Sequence, residues 1–184
     1  MTTLQHSAGP ATLPALDFDA FFSAVDERRR QERLGWFEFA DVLWQQSEVL
    51  NVSLGDHPLC GGAVSRLGGR GETSCQYAAF LLRWLGRAPE EFLVGTVRQV
   101  GDTTLPEVGP GQRLRWDLAA LYAELNGVRS QQGLTWAALG TILDCTPARL
   151  TNLRTARQAD FALVMRVTQW LAAPAARFLV AADW

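Results

Sequence analysis

Three guanidinium groups stand close together in the segment Cys145–Gln158, CTPARLTNLRTARQ. They belong to Arg149, Arg154 and Arg157, and no acid falls among them. A guanidinium is a planar fork of donors that matches phosphate oxygens or the O6/N7 edge of guanine. Asn152, in the same segment, offers the amide pair that matches adenine. A row of arginines on a solvated helix has the same composition, so the meaning of the segment depends on the elements that present it. Other chemistry is sparse. With only His6 and His57 in the chain, a Ser-His-Asp arrangement or a zinc site lacks partners. Cys60, Cys75 and Cys145 are an odd number without a close pair, and read as buried reduced thiols. The glycines around Arg70 follow no strand and precede no GK[ST], so they are not a nucleotide loop. The expectation is a non-catalytic protein with no metal and no cofactor.

The bulk numbers narrow the partners. A chain of 184 residues, 48% hydrophobic and 20% charged, fills one medium or two small cores. Its net charge of -2 gives no global attraction to nucleic acid, so DNA binding must rest on a local patch. All 17 basic residues are arginine, which suits a GC-rich bacterial genome. The opening MTTLQHSAGPATLPAL lacks the basic start and apolar run of a secretion signal. No stretch reaches the roughly 18–20 apolar residues of a membrane span. A cytoplasmic protein without a membrane partner is expected.

An internal repeat organises the chain. At a shift of 100 residues, Asp17 falls on Asp117, Arg29 on Arg129, Leu34 on Leu134, Trp36 on Trp136 and Leu43 on Leu143. The stripe Phe18, Phe21, Phe22, Val25 falls on Leu118, Leu121, Tyr122, Leu125. Further on, the shift becomes 86: Leu67 meets Leu153, Trp84 meets Trp170, and FLV at 92–94 meets FLV at 178–180. The two shifts differ by fourteen, so the first copy carries an insertion, placed at 45–58. The stripes have helical spacing, and Asp17 and Asp117 stand where a carboxylate caps a helix. The reading is all-α: an N-terminal tail (1–14) expected to be disordered, a first helical domain (15–95), a Gly/Pro-containing linker (96–113) and a second helical domain (114–184). Each domain has four to five short helices. TVRQV at 96–100 alternates and is a candidate short strand.

In the second copy TWAALGTIL leads through DCT into PARLTNLRTA, two helices with a very short break. Gly140 is small where the next helix must approach. Asp144 stands where a left-handed residue is needed, Thr146 at a cap, and Pro147 at a first helical position. Leu150 and Leu153 point inward, leaving Pro147, Ala148, Thr151 and Asn152 outward with Arg149 on the flank.

The run LTWAALGTILDCTPARLTNLRTAR, followed by TQWLAAPAARFL, resembles the helix-turn-helix domain of the phage repressor and Cro type, the Xre family. The resemblance covers about 65 residues of the second copy, and the first copy more weakly. It implies double-stranded DNA as partner, with a recognition helix over 146–156. Bases would be read from Pro147, Ala148 and Asn152, with Thr135 and Trp136 near phosphate. Pro147 and Ala148 suit a thymine methyl; Arg149 suits guanine or phosphate, and Arg154 and Arg157 suit phosphate. The tandem copies imply an intrachain pseudo-dimer, or a homodimer formed through the first copy.

In the first copy the insertion separates the second and third helices, and CGGAVSRLGGRG holds five glycines in twelve residues. Arg66 and Arg70 are its weaker phosphate candidates. Residues 16–95 hold 8 arginines against 12 acids, net -4, and residues 96–184 hold 9 against 7, net +2. The second copy is therefore the expected reader, within a bacterial transcriptional regulator. The competing expectation is a non-catalytic protein-interaction scaffold built on degenerate helix-turn-helix repeats.

Overall fold

A computed structural model describes residues 12–184, so the expectation of disorder over 1–11 lies outside the described residues. For 12–14 it is corrected: Pro14 is buried and Leu13 packs on the core. The first half contains β1 (Ala15–Leu16), α1 (Phe18–Gln31), α2 (Trp36–Gln45), α3 (Glu48–Leu54), α4 (Gly61–Ser65), α5 (Leu67–Arg70), α6 (Cys75–Leu85), a 3-10 turn at Pro89–Phe92 and β2 (Leu93–Val94). The second contains β3 (Arg113–Trp116), α7 (Leu118–Gln131), α8 (Trp136–Ile142), α9 (Pro147–Asn152), α10 (Phe161–Leu171), a 3-10 turn at Ala175–Phe178 and β4 (Leu179–Ala182). The molecule is predominantly helical, but not purely so. Two antiparallel pairs, β1 with β2 and β3 with β4, close the two halves. Each pairs the residues before a capping aspartate with the FLV triad: Leu16 opposes Leu93, and Trp116 opposes Leu179. TVRQV forms no strand. It is held instead by the Arg98 N–H on Gln169 Oε1, 3.0 Å, and the Arg98 guanidinium on the Trp170 carbonyl, 3.0 Å.

The same local contacts recur in both halves. The Asp17 carboxylate accepts from Ala20 N–H at 2.8 Å, and Asp117 from Ala120 at 2.9 Å. Trp36 stacks on Phe22 beneath Arg29, and Trp136 stacks on Tyr122 beneath Arg129. Asp17 and Asp117 donate their own amides to the carbonyls of Phe92 and Phe178, both at 2.8 Å. These bonds fix the angle at which each first helix leaves its strand.

The halves meet across a reciprocal seam. Cys75 N–H donates to the Ala159 carbonyl at 2.7 Å, and Phe161 N–H to the Thr73 carbonyl at 3.0 Å. Residues 73 and 75 lie 86 positions before 159 and 161, so the seam joins like to like, as an isologous interface does. Packing follows the same exchange: α6 lies on β3 and α10 on β1. Phe21 meets Phe161 at 5.4 Å. One continuous core runs through both halves. No helix among the described residues is long and apolar enough to cross a membrane.

The insertion folds as α3 and locks onto the 96–113 connection, which is therefore no free tether. The buried Arg113 guanidinium donates to Asn51 Oδ1 and pairs with Asp56 at 2.8 Å. Arg83 donates to the Gln46 and Val108 carbonyls and to Ser47 Oγ. Leu105 and Val108 pack against the core. Arg113 is 2% exposed, so removing an acceptor leaves a buried cation short of partners. Asn51→Ala should lower stability by about 2–4 kcal/mol in urea denaturation; a change under about 0.5 kcal/mol contradicts this role.

Glu90 gives a pH dependence. Its Oε1 accepts from Ala175 N–H at 2.7 Å, while Oε2 is buried without a donor. Burial pushes its carboxyl above the ordinary 4.5, outweighing the lowering by the Ala175 amide, and nearby Glu91 adds to the rise. The folded chain then binds more protons than the unfolded chain between the two pKa values. This contribution to stability is greatest below about 4.5 and falls as pH rises through that window. Glu90→Gln should remove the loss: its stability relative to the parent rises with pH from about 4.5 and then levels off. A difference independent of pH contradicts the assignment.

Candidate nucleic-acid interface

The corner between α8 and α9 is built from one close contact. Cys145 N–H donates to the Gly140 carbonyl at 2.9 Å. The Cys145 carbonyl lies 2.7 Å from where a Cβ on residue 140 would be, and Pro147 Cδ lies 3.4 Å from it. Only glycine admits both. Asp144 takes φ 50°, the left-handed conformation that reverses the chain. From α10, Arg166 donates to the Leu143 carbonyl at 2.7 Å and to the Asp144 carbonyl at 3.3 Å. Sequence reasoning missed this clamp, because Arg166 lies on the largely apolar α10, more than twenty residues from the carbonyls it holds. Thr135 caps α8 by accepting from Ala138 N–H at 3.1 Å. Thr146 occupies the cap position of α9, but its side chain accepts no amide; the start of α9 rests on Pro147, which has no amide to satisfy.

Helix α9 ends at Asn152, so the expected helix over 146–156 is corrected. Residues 153–155 continue as turns, with Ala156 N–H on the Asn152 carbonyl at 3.0 Å. Leu150 and Leu153 are buried. Thr146, Pro147, Ala148, Arg149 and Asn152 are exposed, and Thr151 is half-buried with its hydroxyl on the Ala148 carbonyl. Arg154 and Arg157 are exposed and join no ion pair among the described residues. Arg149 lies 3.7 Å from Asp160, a loose pairing, since the same Asp160 oxygen caps α10 through Leu163 N–H at 2.8 Å. Thr135 is exposed at the start of α8. Trp136 is half-buried between Tyr122 and Arg129, so only its rim is presented.

The first half builds its counterpart differently. Gly61 is buried, and a Cβ there would meet the Trp36 carbonyl and the Phe37 ring, both at 2.9 Å. A Cβ on Gly68 would meet the Phe22 ring at 2.5 Å. These glycines let α4 and α5 press on aromatic side chains. Residue 61 corresponds to exposed Pro147, so the start of α4 faces inward where that of α9 faces outward. The cause is α3, which leads the chain back to the beginning of α2 instead of its end. Arg66 and Arg70 are exposed. Arg70 and Arg149 line one cleft of about 510 Å³, with Glu72, Thr73, Tyr77 and Asp160. Arg66 stands outside it.

The thiols lie apart. Burial pushes Cys75 up to about 11 and raises Cys145 as well. Cys60 is exposed, which corrects the expectation that all three are buried. No family model matches the chain, and neither the curated proteins nor the solved structures compared with it include a match.

Gly140→Ala tests the corner. Helix propensity favours alanine by about 1 kcal/mol, while overpacking against the Cys145 carbonyl costs about 1–3 kcal/mol. A net loss of up to about 2 kcal/mol in denaturant unfolding is expected; a midpoint raised by the full propensity gain of about 1 kcal/mol contradicts the contact.

Proposed function

We propose that the chain is a DNA-binding transcriptional regulator of the helix-turn-helix kind, reading the major groove through the second half. The observation that carries this reading is the exposed start of α9 with guanidinium groups around it. Leu150 and Leu153 anchor the helix, leaving Pro147, Ala148, Arg149 and Asn152 facing out. Asn152 pairs with adenine, the Ala148 and Pro147 carbons meet a thymine methyl, and Arg149 reads guanine or phosphate. Arg154 and Arg157, off the end of the helix, neutralise phosphate. Thr135 and the rim of Trp136 lie against the backbone. The first half serves as a pairing module, with its recognition element turned inward and only Arg66 and Arg70 available to phosphate. Nothing in this function calls for a cofactor.

A scaffold for a protein partner is the second reading. It is favoured by the apolar side chains that α2 and α3 expose: Phe37, Val49, Val52 and Leu54.

Duplex binding measured at two salt concentrations separates the readings. A regulator's log affinity falls against log salt with a slope of about -0.9 per phosphate contact. Arg154→Ala should make that slope shallower by about 1. Asn152→Ala should cost about 1–3 kcal/mol on a preferred sequence and leave the slope unchanged. Absence of salt-dependent binding at low salt contradicts the regulator and favours the scaffold.

A further inference from the structure

The outer faces of α2 and α3 carry apolar side chains that the fold leaves uncovered. Phe37 is 77% exposed, Val52 65%, Val49 61% and Leu54 51%. Single exposures are ordinary, whereas several on neighbouring helices mark a contact surface. On α2, Phe37, Asp41 and Trp44 share one face at spacings of four and three, over about 10 Å of axis. On α3, Glu48 and Val52 share a face, with Val49 beside them. The two helices are held as one piece. The Asn51 side-chain amide donates to the Trp44 carbonyl at 2.8 Å, and the Trp44 indole N–H to the Asp56 carbonyl at 3.0 Å. Arg113 in turn holds Asn51 and Asp56. The surface is therefore set before any partner arrives, which lowers the ordering cost of binding.

Charge gives this surface a sign. Residues 34–65 contain four acids and no arginine. Asp56 is paired with Arg113. Glu38, Asp41 and Glu48 are exposed and join no ion pair among the described residues. The second half offers an internal comparison. At the shift of 100, Ala137 stands where Phe37 does and Thr141 where Asp41 does. Helix α3 has no counterpart there, since α8 passes directly to α9. The apolar and acidic face thus belongs to the first half alone and is no requirement of the repeat.

We propose that this face binds a protein partner through an amphipathic helix whose apolar stripe is flanked by lysine or arginine. The stripe covers Phe37, Val49 and Val52, and the flanking cations meet Asp41 and Glu48. A second copy of the chain fits less well, because an isologous contact sets these acids against their own copies. DNA and an anionic bilayer meet the same repulsion. The inference goes beyond the DNA reading and does not rest on it: its test contains no nucleic acid, so either can fail while the other stands.

The test is titration of the full ¹⁵N-labelled chain with a synthetic peptide of about fourteen residues, leucine and lysine in a helical pattern. Saturable shifts are expected in the backbone amides of Phe37, Val49, Val52 and Leu54. The same peptide with glutamate for lysine should bind at least about tenfold more weakly, as should one with serine for leucine. Asp41→Asn combined with Glu48→Gln should weaken the lysine peptide at least about threefold and flatten its salt dependence. Glu27→Gln, on α1, should leave both unchanged. Val52→Ser should cost at least about threefold, with circular dichroism melting at the parent temperature. Equal binding of the glutamate or serine peptide, shifts centred away from α2 and α3, or no effect of the paired acid variant overturns the proposal. So does sedimentation showing a dimer of the chain that Val52→Ser dissolves, since a second copy then fills the face.

Discussion

The contact between the Cys145 carbonyl and the bare α-carbon of Gly140 governs the surface of this molecule. It brings α9 so close to α8 that the chain reverses in a few residues, through a left-handed Asp144. The reversal aims the first turn of α9 at solvent, while Leu150 and Leu153 hold its other side in the core. Arg166 keeps the carbonyls of the corner from fraying. Each part depends on the close approach, since a Cβ at residue 140 would push the corner outward and turn the helix with it.

The first half shows what happens without that constraint. Ala40 stands where Gly140 does, and no tight corner follows it. Helix α3 intervenes, and the chain returns to the start of α2, where Gly61 makes the close contact instead. A change of contact point along one helix thus turns an outward element into an inward one. The inserted helix binds the connection between halves through Arg83 and Arg113, and the reciprocal seam at 73–75 and 159–161 fuses the two cores. The result is a pair of similar halves with distinct surfaces: apolar carbons exposed on α2 and α3 in one, guanidinium groups around α9 in the other.

Much of this was legible in the sequence, where the signal was local. Asp17 and Asp117 announced their helices because capping needs only a carboxylate three residues ahead of an amide. Gly140, Asp144 and Pro147 announced the corner because each satisfies a backbone demand few residues can meet. The strands were not legible: two to four residues carry no periodicity, and their pairing joins positions far apart in the chain. The insertion was visible as a gap, but its helix and its anchor on Arg113 depend on a partner about sixty residues away. Arg166 acquires its role only from what packs around it. The end of α9 at Asn152 was also hidden, because LRTA has ordinary helical residues and is turned aside by tertiary packing.

The central claim is that the start of α9 meets DNA, and its most direct test is a backbone amide titration of the chain with a duplex at low salt. The account predicts shifts concentrated in 146–157 and at the start of α8, with little change on α3. Shifts confined to Phe37 and α3, or none anywhere in 146–157, would contradict it.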